Sequence, residues 1–482
     1  MGKRVLLCNP PFYRLLGSKY LANSLGISYI AAVLNQNGHD AWLYNADAYF
    51  DDPSYKNLKG LFDGFHDYKQ YFKNKDHEIW EEVTRKIIDF NPDWVGWTSY
   101  TANVSTIQIL SEKLHNIAPE IRQVVGGPHS TMDNNLLLKL PYVDFAVKRE
   151  GEYAMLELIN DNDPKKIIGV VSKNKLGFLH NNGDADVLDT DLLPFPERDK
   201  FWAMTEEQKN KIDVSYVISI RGCPYDCTYC ASPKHWGRSK TQYRSPKSLL
   251  SEMHHVKKHY WNKHQFDYSQ SANATTKDKL IIQDNSVFYI VDDVFSVKKN
   301  RTIETLNMMI DTNLDAPWKC EARTDHLIPE ICKLMKQANC VRVKIGAESG
   351  SDRILKQVSK RETKKQIYDG CMMLKDAGVP FTLYLMAGFP GETDEDLRQT
   401  IEFAKAVKPN FCSLSILSPY FGTAIYYDLI EQGFPLDKQP WEYFFHQSSD
   451  LMVNNTISKE VLQEYLALNE TLNKDKNNLG YV

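Results

Sequence analysis

Three cysteines fall at positions 1, 5 and 8 of one short span. They are Cys223, Cys227 and Cys230, in the run Ile220-Arg221-Gly222-Cys223-Pro224-Tyr225-Asp226-Cys227-Thr228-Tyr229-Cys230. Thiolates are soft ligands that suit iron–sulfur clusters, zinc and copper(I). A four-iron cluster takes four ligands. The run supplies three and no fourth cysteine follows closely, so one iron would stay open to a substrate. A structural zinc site instead closes its tetrahedron with a fourth protein ligand, and His235 is near enough in sequence to serve. Three reduced core cysteines are the remaining reading.

The residue before the last cysteine is aromatic, Tyr229. The pattern C-x3-C-x-aromatic-C resembles the signature of the radical S-adenosylmethionine (SAM) superfamily. In that family the three cysteines hold a [4Fe–4S] cluster, and SAM chelates the fourth iron through its amino and carboxylate groups. The resemblance implies that Cys223, Cys227 and Cys230 are metal ligands and that Tyr229 is a cofactor contact.

A ligand loop needs a scaffold, and this one follows the β-branched run Val214 to Ile220. Further candidate strands lie at 286–291, 317–321, 341–346, 381–386 and 411–416. Helical patterns fall between them, at about 245–263, 297–313, 327–337, 363–377 and 394–407. Six strands with helical crossovers are fewer than the eight of a closed barrel. A partial (β/α)6 barrel fits, and it is the fold that the resemblance implies. Residues 264–284 are polar and read as a surface insertion.

The carboxyl ends of these strands collect polar residues. They carry Asp292-Asp293, Glu321-Ala322-Arg323-Thr324-Asp325, Gly346-Ala347-Glu348-Ser349-Gly350-Ser351, Gly388-Phe389-Pro390-Gly391-Glu392-Thr393 and Ser418-Pro419-Tyr420. Any one of them reads as a helix cap; Thr393 with the acidic residues after it starts a helix well. Together with the cysteine loop they form one mouth, which is where an α/β barrel binds its ligands. That joint reading weighs against zinc. The resemblance carries SAM contacts to Glu348, Ser349, Asp292 and Asp293. An ionised Glu348 can only accept hydrogen bonds, which suits a ribose or an amino group.

The first part of the chain repeats the alternation on a smaller scale. Apolar runs at 4–8, 41–44, 94–98, 123–125 and 143–147 are separated by helical stretches, which predicts a parallel sheet covered on both faces. Ligands bind beyond the carboxyl ends of such strands. Those ends read Asn9-Pro10-Pro11-Phe12, Thr98-Ser99-Tyr100-Thr101, Gly126-Gly127-Pro128-His129 and Arg149-Glu150-Gly151-Glu152. Singly they are ordinary turns. Together they resemble the cobalamin-binding domain of cobalamin-dependent radical SAM enzymes. The resemblance carries cobalamin contacts to Asn9, Pro10, Ser99, Thr101, Gly126, Gly127 and Glu150. The D-x-H-x-x-G motif whose histidine ligates cobalt in classical cobalamin enzymes is absent, and Pro11 stands about where that histidine would be. This implies cobalamin held without a histidine ligand, with His129 a loop residue.

Residues 46–82 are rich in aromatics at spacings of three and four, which predicts helices packed against the following domain. Val170–Ser172 and Gly177–His180 read as a small β element about Asn182-Gly183. The chain thus reads as α/β. A Rossmann-like (flavodoxin-like) cobalamin-binding domain covers 1–160, and a linker covers 161–205. A partial (β/α)6 radical SAM barrel covers 206–430, and a helical extension covers 431–482.

The composition is 42% hydrophobic and 25% charged, with a formal charge of −4. That gives no pull toward DNA or an anionic membrane. No apolar run reaches the roughly 18 residues of a transmembrane segment. The nine cysteines are odd in number and mostly scattered, and no export signal is read, so a reducing cytoplasm is expected.

The two resemblances imply three cofactors: the [4Fe–4S] cluster, SAM and cobalamin. They imply methylation of an unactivated carbon, through a 5′-deoxyadenosyl radical and methylcobalamin, with the substrate between the domains. The alternative is a cyclase or rearrangement enzyme like the anaerobic porphyrin cyclases. A cobalamin or iron–sulfur sensor is the non-enzymatic reading, and no output domain is visible for it. The expected partners are a small-molecule or lipid-like substrate and a low-potential electron donor such as flavodoxin or ferredoxin.

Overall fold

Short apolar runs alternating with amphipathic helices build two predominantly parallel sheets. The computed structural model describes all residues except 1, 19, 51–60, 175, 186, 238–240, 262–286, 447, 449 and 474–482. The expected insertion at 264–284 lies outside the described residues.

The first sheet holds seven strands: β1 (Arg4–Asn9), β2 (Asp40–Asn45), β3 (Trp94–Thr98), β4 (Arg122–Gly126), β5 (Phe145–Val147), β6 (Val170–Lys173) and β7 (Leu179–Asn181). Their order is β2-β1-β3-β4-β5-β6-β7. The first five are mutually parallel. Helices such as Leu25–Gln36 and Val104–Ile117 return the chain between them. Val5, Leu6, Val95 and Val125 are fully buried, as strands covered on both faces require.

β6 and β7 add an antiparallel edge. Their turn lies at Asn174–Phe178, not at Asn182-Gly183. The Asn174 carboxamide oxygen accepts from Leu176 N at 2.9 Å and Phe178 N at 3.0 Å, so the side chain itself closes the turn. The aromatic stretch forms the helices Leu61–Tyr71 and Glu78–Phe90. Tyr68 meets Phe12 and Phe65 at ring distances of 5.5 and 5.6 Å and donates to Ala102 O at 2.7 Å. Tyr55 lies outside the described residues.

The second unit begins with β8 (Tyr216–Val217), β9 (Ile220–Arg221) and β10 (Gln242–Tyr243). Then come β11 (Phe288–Ile290), β12 (Trp318–Ala322), β13 (Cys340–Glu348), β14 (Phe381–Ala387) and β15 (Phe411–Ile416). Six of them form a sheet in the order β15-β14-β13-β12-β11-β8, all neighbours parallel. This is the partial (β/α)6 barrel. Helices Pro246–His259, Lys299–Asp311, Pro329–Gln337, Lys364–Asp376 and Asp394–Val407 are its crossovers. Val343, Ile345, Phe381, Leu383 and Leu385 are essentially fully buried in its core.

The run expected as one strand at 214–220 is broken in two. The Asp292 carboxylate accepts from Ser219 N at 2.6 Å and Ile220 N at 2.8 Å. Those amides leave the sheet, and β9 pairs instead with β10, antiparallel.

The two units are not simple halves of the chain. Met1–Lys56, Gly60–Val214 and Tyr420–Phe445 make up the first; Ser215–Pro419 and His446–Val482, with Asn57–Lys59, make up the second. The stretch read as one extension, 431–482, is therefore divided. Phe421 and Trp441 pack on His129 of the first unit, at ring distances of 5.2 and 4.9 Å. The helix Lys459–Asn473 returns to the second, where Tyr465 donates to Ser415 O at 3.2 Å.

Candidate cluster and cofactor sites

The cysteine loop leaves β9 through Gly222, at φ 106°, a left-handed conformation that favours glycine. Thr228 N donates to Val358 O at 3.0 Å and Cys230 N to Cys227 O at 3.1 Å, which pin the loop to the main body and to itself. Cys223 and Cys227 are buried and Cys230 is half-buried. Burial pushes all three thiols up, Cys223 to about 11. Cys223 also feels the charge of Cys227, and Cys230 that of Cys227 and Cys223, so the three side chains form one group. Their protons must leave when metal binds. Among the described residues no three His, Cys, Asp or Glu donors converge as a single metal ion would need. A cube of iron and sulfide holds its thiolates at separate corners, wider apart than a single ion does.

Asp292 is 1% exposed, and besides the two amides it accepts from the Ser219 hydroxyl. Its oxygens hold the strand that leads into the cysteine loop. Asp293 accepts from Ser232 Oγ at 2.5 Å, just beyond Cys230. Burial and the neighbouring Glu321 and Asp292 push its carboxyl up to about 6, against the Ser232 hydrogen bond.

Glu348 ends β13 at φ 63°, a conformation that costs a non-glycine residue about 1–3 kcal/mol. The register slips between Gly346 and Glu348, which re-aims the side chain. Gly346 makes this possible, since a Cβ there would lie 2.6 Å from Glu348 Oε1. Burial and the charge of the same carboxylate raise the Tyr229 phenol above its usual range. Lys360 Nζ lies 3.5 Å from it, with both side chains largely buried. Burial alone would depress Lys360; Glu348 and Glu362 outweigh it and raise the ammonium above the usual lysine range. Glu362 in turn accepts from Thr324 N at 3.0 Å and meets Arg323 at 3.2 Å. The Arg323 guanidinium lies 3.6 Å over the Tyr225 ring in the cysteine loop. A chain of buried charge thus runs from Glu348 back to the ligands.

Ser349 is fully buried, and its hydroxyl bonds Thr400 Oγ1 at 3.0 Å and accepts from Ser351 N at 3.1 Å. It holds the turn against the helix Asp394–Val407. Glu392 accepts from Gly388 N at 2.7 Å and Phe389 N at 3.1 Å, and Phe389 packs 6.0 Å from the Tyr229 ring. Burial pushes Glu392 up to about 7 despite those two bonds.

Lys360, Glu362 and Glu392 were missed by sequence reasoning. Lys360 and Glu362 sit in the polar stretch after the short helix Asp352–Gln357, where no periodicity marks an inward charge. Glu392 was quoted in its loop without a role.

In the first unit several of the loop ends are closed by neutral hydrogen bonds. Ser99 Oγ donates to Gly126 O at 2.7 Å and accepts from Ser130 N at 3.2 Å. Gly127, at φ 94°, lies against Ser99 so closely that a Cβ would fall 2.9 Å from both its N and O. Asn9 Nδ2 donates to Asn45 Oδ1 at 3.0 Å. Thr101 Oγ1 bonds His129 Nδ1 at 3.1 Å. His129 is fully buried, and burial lowers it to about 4. It lies in the short helix Pro128–Met132 and not in a loop, with Phe421 and Trp441 against its ring. Glu150 is buried behind β5. Asp47, which sequence did not single out, accepts from Phe12 N at 2.6 Å and Arg14 N at 3.0 Å and so shapes the loop of Asn9, Pro10 and Pro11. Tyr100, next to Ser99, is 54% exposed, and Gly126 and Gly127 let a bulky ligand approach the backbone closely.

A parallel sheet followed by a partial barrel with a three-cysteine first loop is the arrangement that the sequence resemblance implies. Residues 217–404 match the family model of the Radical SAM superfamily, and residues 15–159 match the B12 binding domain. The chain belongs to the cobalamin-dependent radical SAM enzymes, and the cluster, SAM and cobalamin follow from its two domains.

Among curated relatives, an uncharacterized methyltransferase of Pyrococcus horikoshii is 26% identical over 72% of this chain and 71% of its own length. An anaerobic magnesium-protoporphyrin IX monomethyl ester cyclase of Rubrivivax gelatinosus is also 26% identical, over 70% of this chain and 59% of its own. The solved structure of the radical SAM methyltransferase TsrM from Kitasatospora setae, with cobalamin and a [4Fe–4S] cluster bound, superposes with a TM-score of 0.64. It is 16% identical and covers 90% of this chain and 75% of its own. OxsB, a cobalamin-dependent SAM radical enzyme, gives 0.62 at 16% identity over 99% and 62%. Among the described residues no helix is long and apolar enough to cross a membrane.

Proposed function

We propose that this enzyme methylates an unactivated carbon of a small-molecule or lipid-like substrate. The observation that carries the reading is one chain matching both a B12 binding domain and a radical SAM domain, with a methyltransferase relative matched over about the same share of each protein. When bound, the cofactors supply a carbon-centred radical and a methyl group.

The chain's own residues do the rest. Cys223, Cys227 and Cys230 would hold the cluster. Glu348 and Lys360 present an acceptor and a cation side by side, complementary to the amino and carboxylate groups of an amino acid. Tyr229, whose phenol feels the charge of Glu348, would contact the cofactor beside it. Burial of these groups keeps water from a reactive intermediate. Asn9, Pro10, Ser99, Thr101, Gly126, Gly127 and Glu150 would shape the cobalamin site. Asp292, Asp293 and Ser349 position the loops around the SAM site. A low-potential donor such as flavodoxin or ferredoxin would supply the electron.

Anaerobic reconstitution with iron, sulfide, cobalamin and SAM tests this. Methyl transfer produces both S-adenosylhomocysteine and 5′-deoxyadenosine. The cyclase relative supports a second reading, cyclisation or rearrangement, which yields 5′-deoxyadenosine without S-adenosylhomocysteine. That product pattern would sink the methylation reading.

A further inference from the structure

The three cysteines stand on a loop that another stretch of the second unit holds from one side. Tyr225 is the midpoint between Cys223 and Cys227, two residues from each. The Arg323 guanidinium lies over its ring, 3.6 Å from the centroid. The Tyr225 hydroxyl bonds His326 Nε2. Face and hydroxyl are therefore both taken by residues 323–326, which follow β12 directly. Two further ties fasten the other half of the loop, Thr228 N to Val358 O at 3.0 Å and Arg361 to Asp226 at 2.8 Å.

Arg323 is itself fixed along its edge. Its Nε and one terminal nitrogen donate to the two carboxylate oxygens of Asp325 at 3.1 and 2.9 Å, and the same terminal nitrogen donates to Lys360 O at 2.9 Å. Glu362 Oε2 lies 3.2 Å from that nitrogen. A guanidinium is a rigid planar fork, so partners along its edge set the plane that it turns to the ring. The residue is 5% exposed, and a cation is held more strongly over an aromatic face when water is excluded.

An apolar side chain would fill the space over Tyr225 without the cost of burying a charge. The charge has a use at this place. It stands one ring's thickness from the loop that carries the ligands. Net charge around the irons helps to set the potential of a cluster, and a fixed cation favours the reduced, more negative form.

We propose that Arg323 is a positioning residue: through the face of Tyr225 it holds the span between Cys223 and Cys227 in the conformation that receives the cluster, and it brings a fixed positive charge to that site. The proposal rests on the cysteine trio being the cluster ligands. Its first test needs no iron, so the two can fail separately.

Alkylation of the iron-free full chain by iodoacetamide, read cysteine by cysteine in a mass spectrometer, reports how freely the loop opens. Tyr225→Leu removes the aromatic face but leaves Arg323 its carboxylates, and Cys223 and Cys227 should then react at least fivefold faster. Tyr225→Phe keeps the face and loses the bond to His326, and should stay within twofold of wild type. Cys8 and Cys412, buried elsewhere, should react alike in all three. In the reconstituted protein, a redox titration followed by electron paramagnetic resonance should find Arg323→Met about tenfold less reduced at a given poise, a shift of about 59 mV for one electron. Arg323→Lys, which keeps the charge, should stay close to wild type. Equal alkylation of Tyr225→Leu and wild type, or Tyr225→Phe as reactive as Tyr225→Leu, would overturn the clamp, and both comparisons stand even if Arg323→Met does not fold. An unchanged potential in Arg323→Met would overturn the role of its charge. Failure of the wild type to take up iron would sink the cluster reading and leave the clamp to be decided by alkylation.

Discussion

Ser99, Asn9 and Thr101 tie off the loops of the first unit through amides, hydroxyls and a neutral imidazole. Glu348, Lys360, Glu362 and Arg323 do the same work in the second through buried charge. The difference matches the guests proposed for the two units. A backbone ledge with glycines can lie flat against a macrocycle, while a zwitterionic amino acid beside thiolates needs fixed charges of both signs. Neutral ties tolerate loss of one bond. Charged ties do not, because removing one partner strands the other in a poor solvent.

The sharpest break of this comparison lies at the cluster. Cys227→Ala should lose essentially all bound iron and SAM cleavage while its far-ultraviolet circular dichroism stays unchanged. Iron and sulfide retained at the wild-type ratio would refute the trio as ligands.

Next in size is the charged tie. Lys360→Met leaves Glu348 and Glu362 buried without their shared cation and should cost about 3–5 kcal/mol. Adding Glu348→Gln should recover part of that loss. Urea unfolding decides it, and strictly additive costs would show that the two side chains are not coupled.

Glu392 gives a pH signature. Its folded pKa of about 7 lies above its ordinary value of 4.5, so the protonated form is favoured in the fold. Its contribution is full below about pH 4.5 and is lost as pH rises through about 7. Glu392→Gln keeps an acceptor for Gly388 N and Phe389 N. It should flatten the stability profile between pH 5 and 8 by up to about 3 kcal/mol. An unchanged slope would mean that the carboxyl titrates normally.

The first unit should yield smaller numbers. Gly127→Ala forces a side chain into a left-handed turn against Ser99 and should cost about 1–3 kcal/mol, with cobalamin retained less well on gel filtration. Ser99→Ala should cost only about 1 kcal/mol, with Ser130 N and Gly126 O left to other partners. If Ser99→Ala proved as damaging as Lys360→Met, the contrast between neutral and charged ties would not hold.

Much of this was legible in the chain. The spacing of Cys223, Cys227 and Cys230 and the aromatic Tyr229 are local, and local chemistry survives in a linear text. Strand–helix alternation marked both sheets because covered strands must be apolar, and β3 and the helix Asp394–Val407 lie where they were expected. Other features have no local signal. Asp292 lies some seventy residues after the amides it captures, so the split of β8 from β9 could not be read. Lys360 and Arg323 look like any solvated cation until the fold sets a carboxylate or a tyrosine beside them. The segment Tyr420–Phe445 joins the first unit although it follows the barrel in sequence. The sequence by itself determined the spacing of the candidate ligands and the order of elements, because periodicity and spacing act over a few residues. Tertiary structure decided which charges are buried and what they face, because desolvation and pairing depend on neighbours that the chain brings together only when folded.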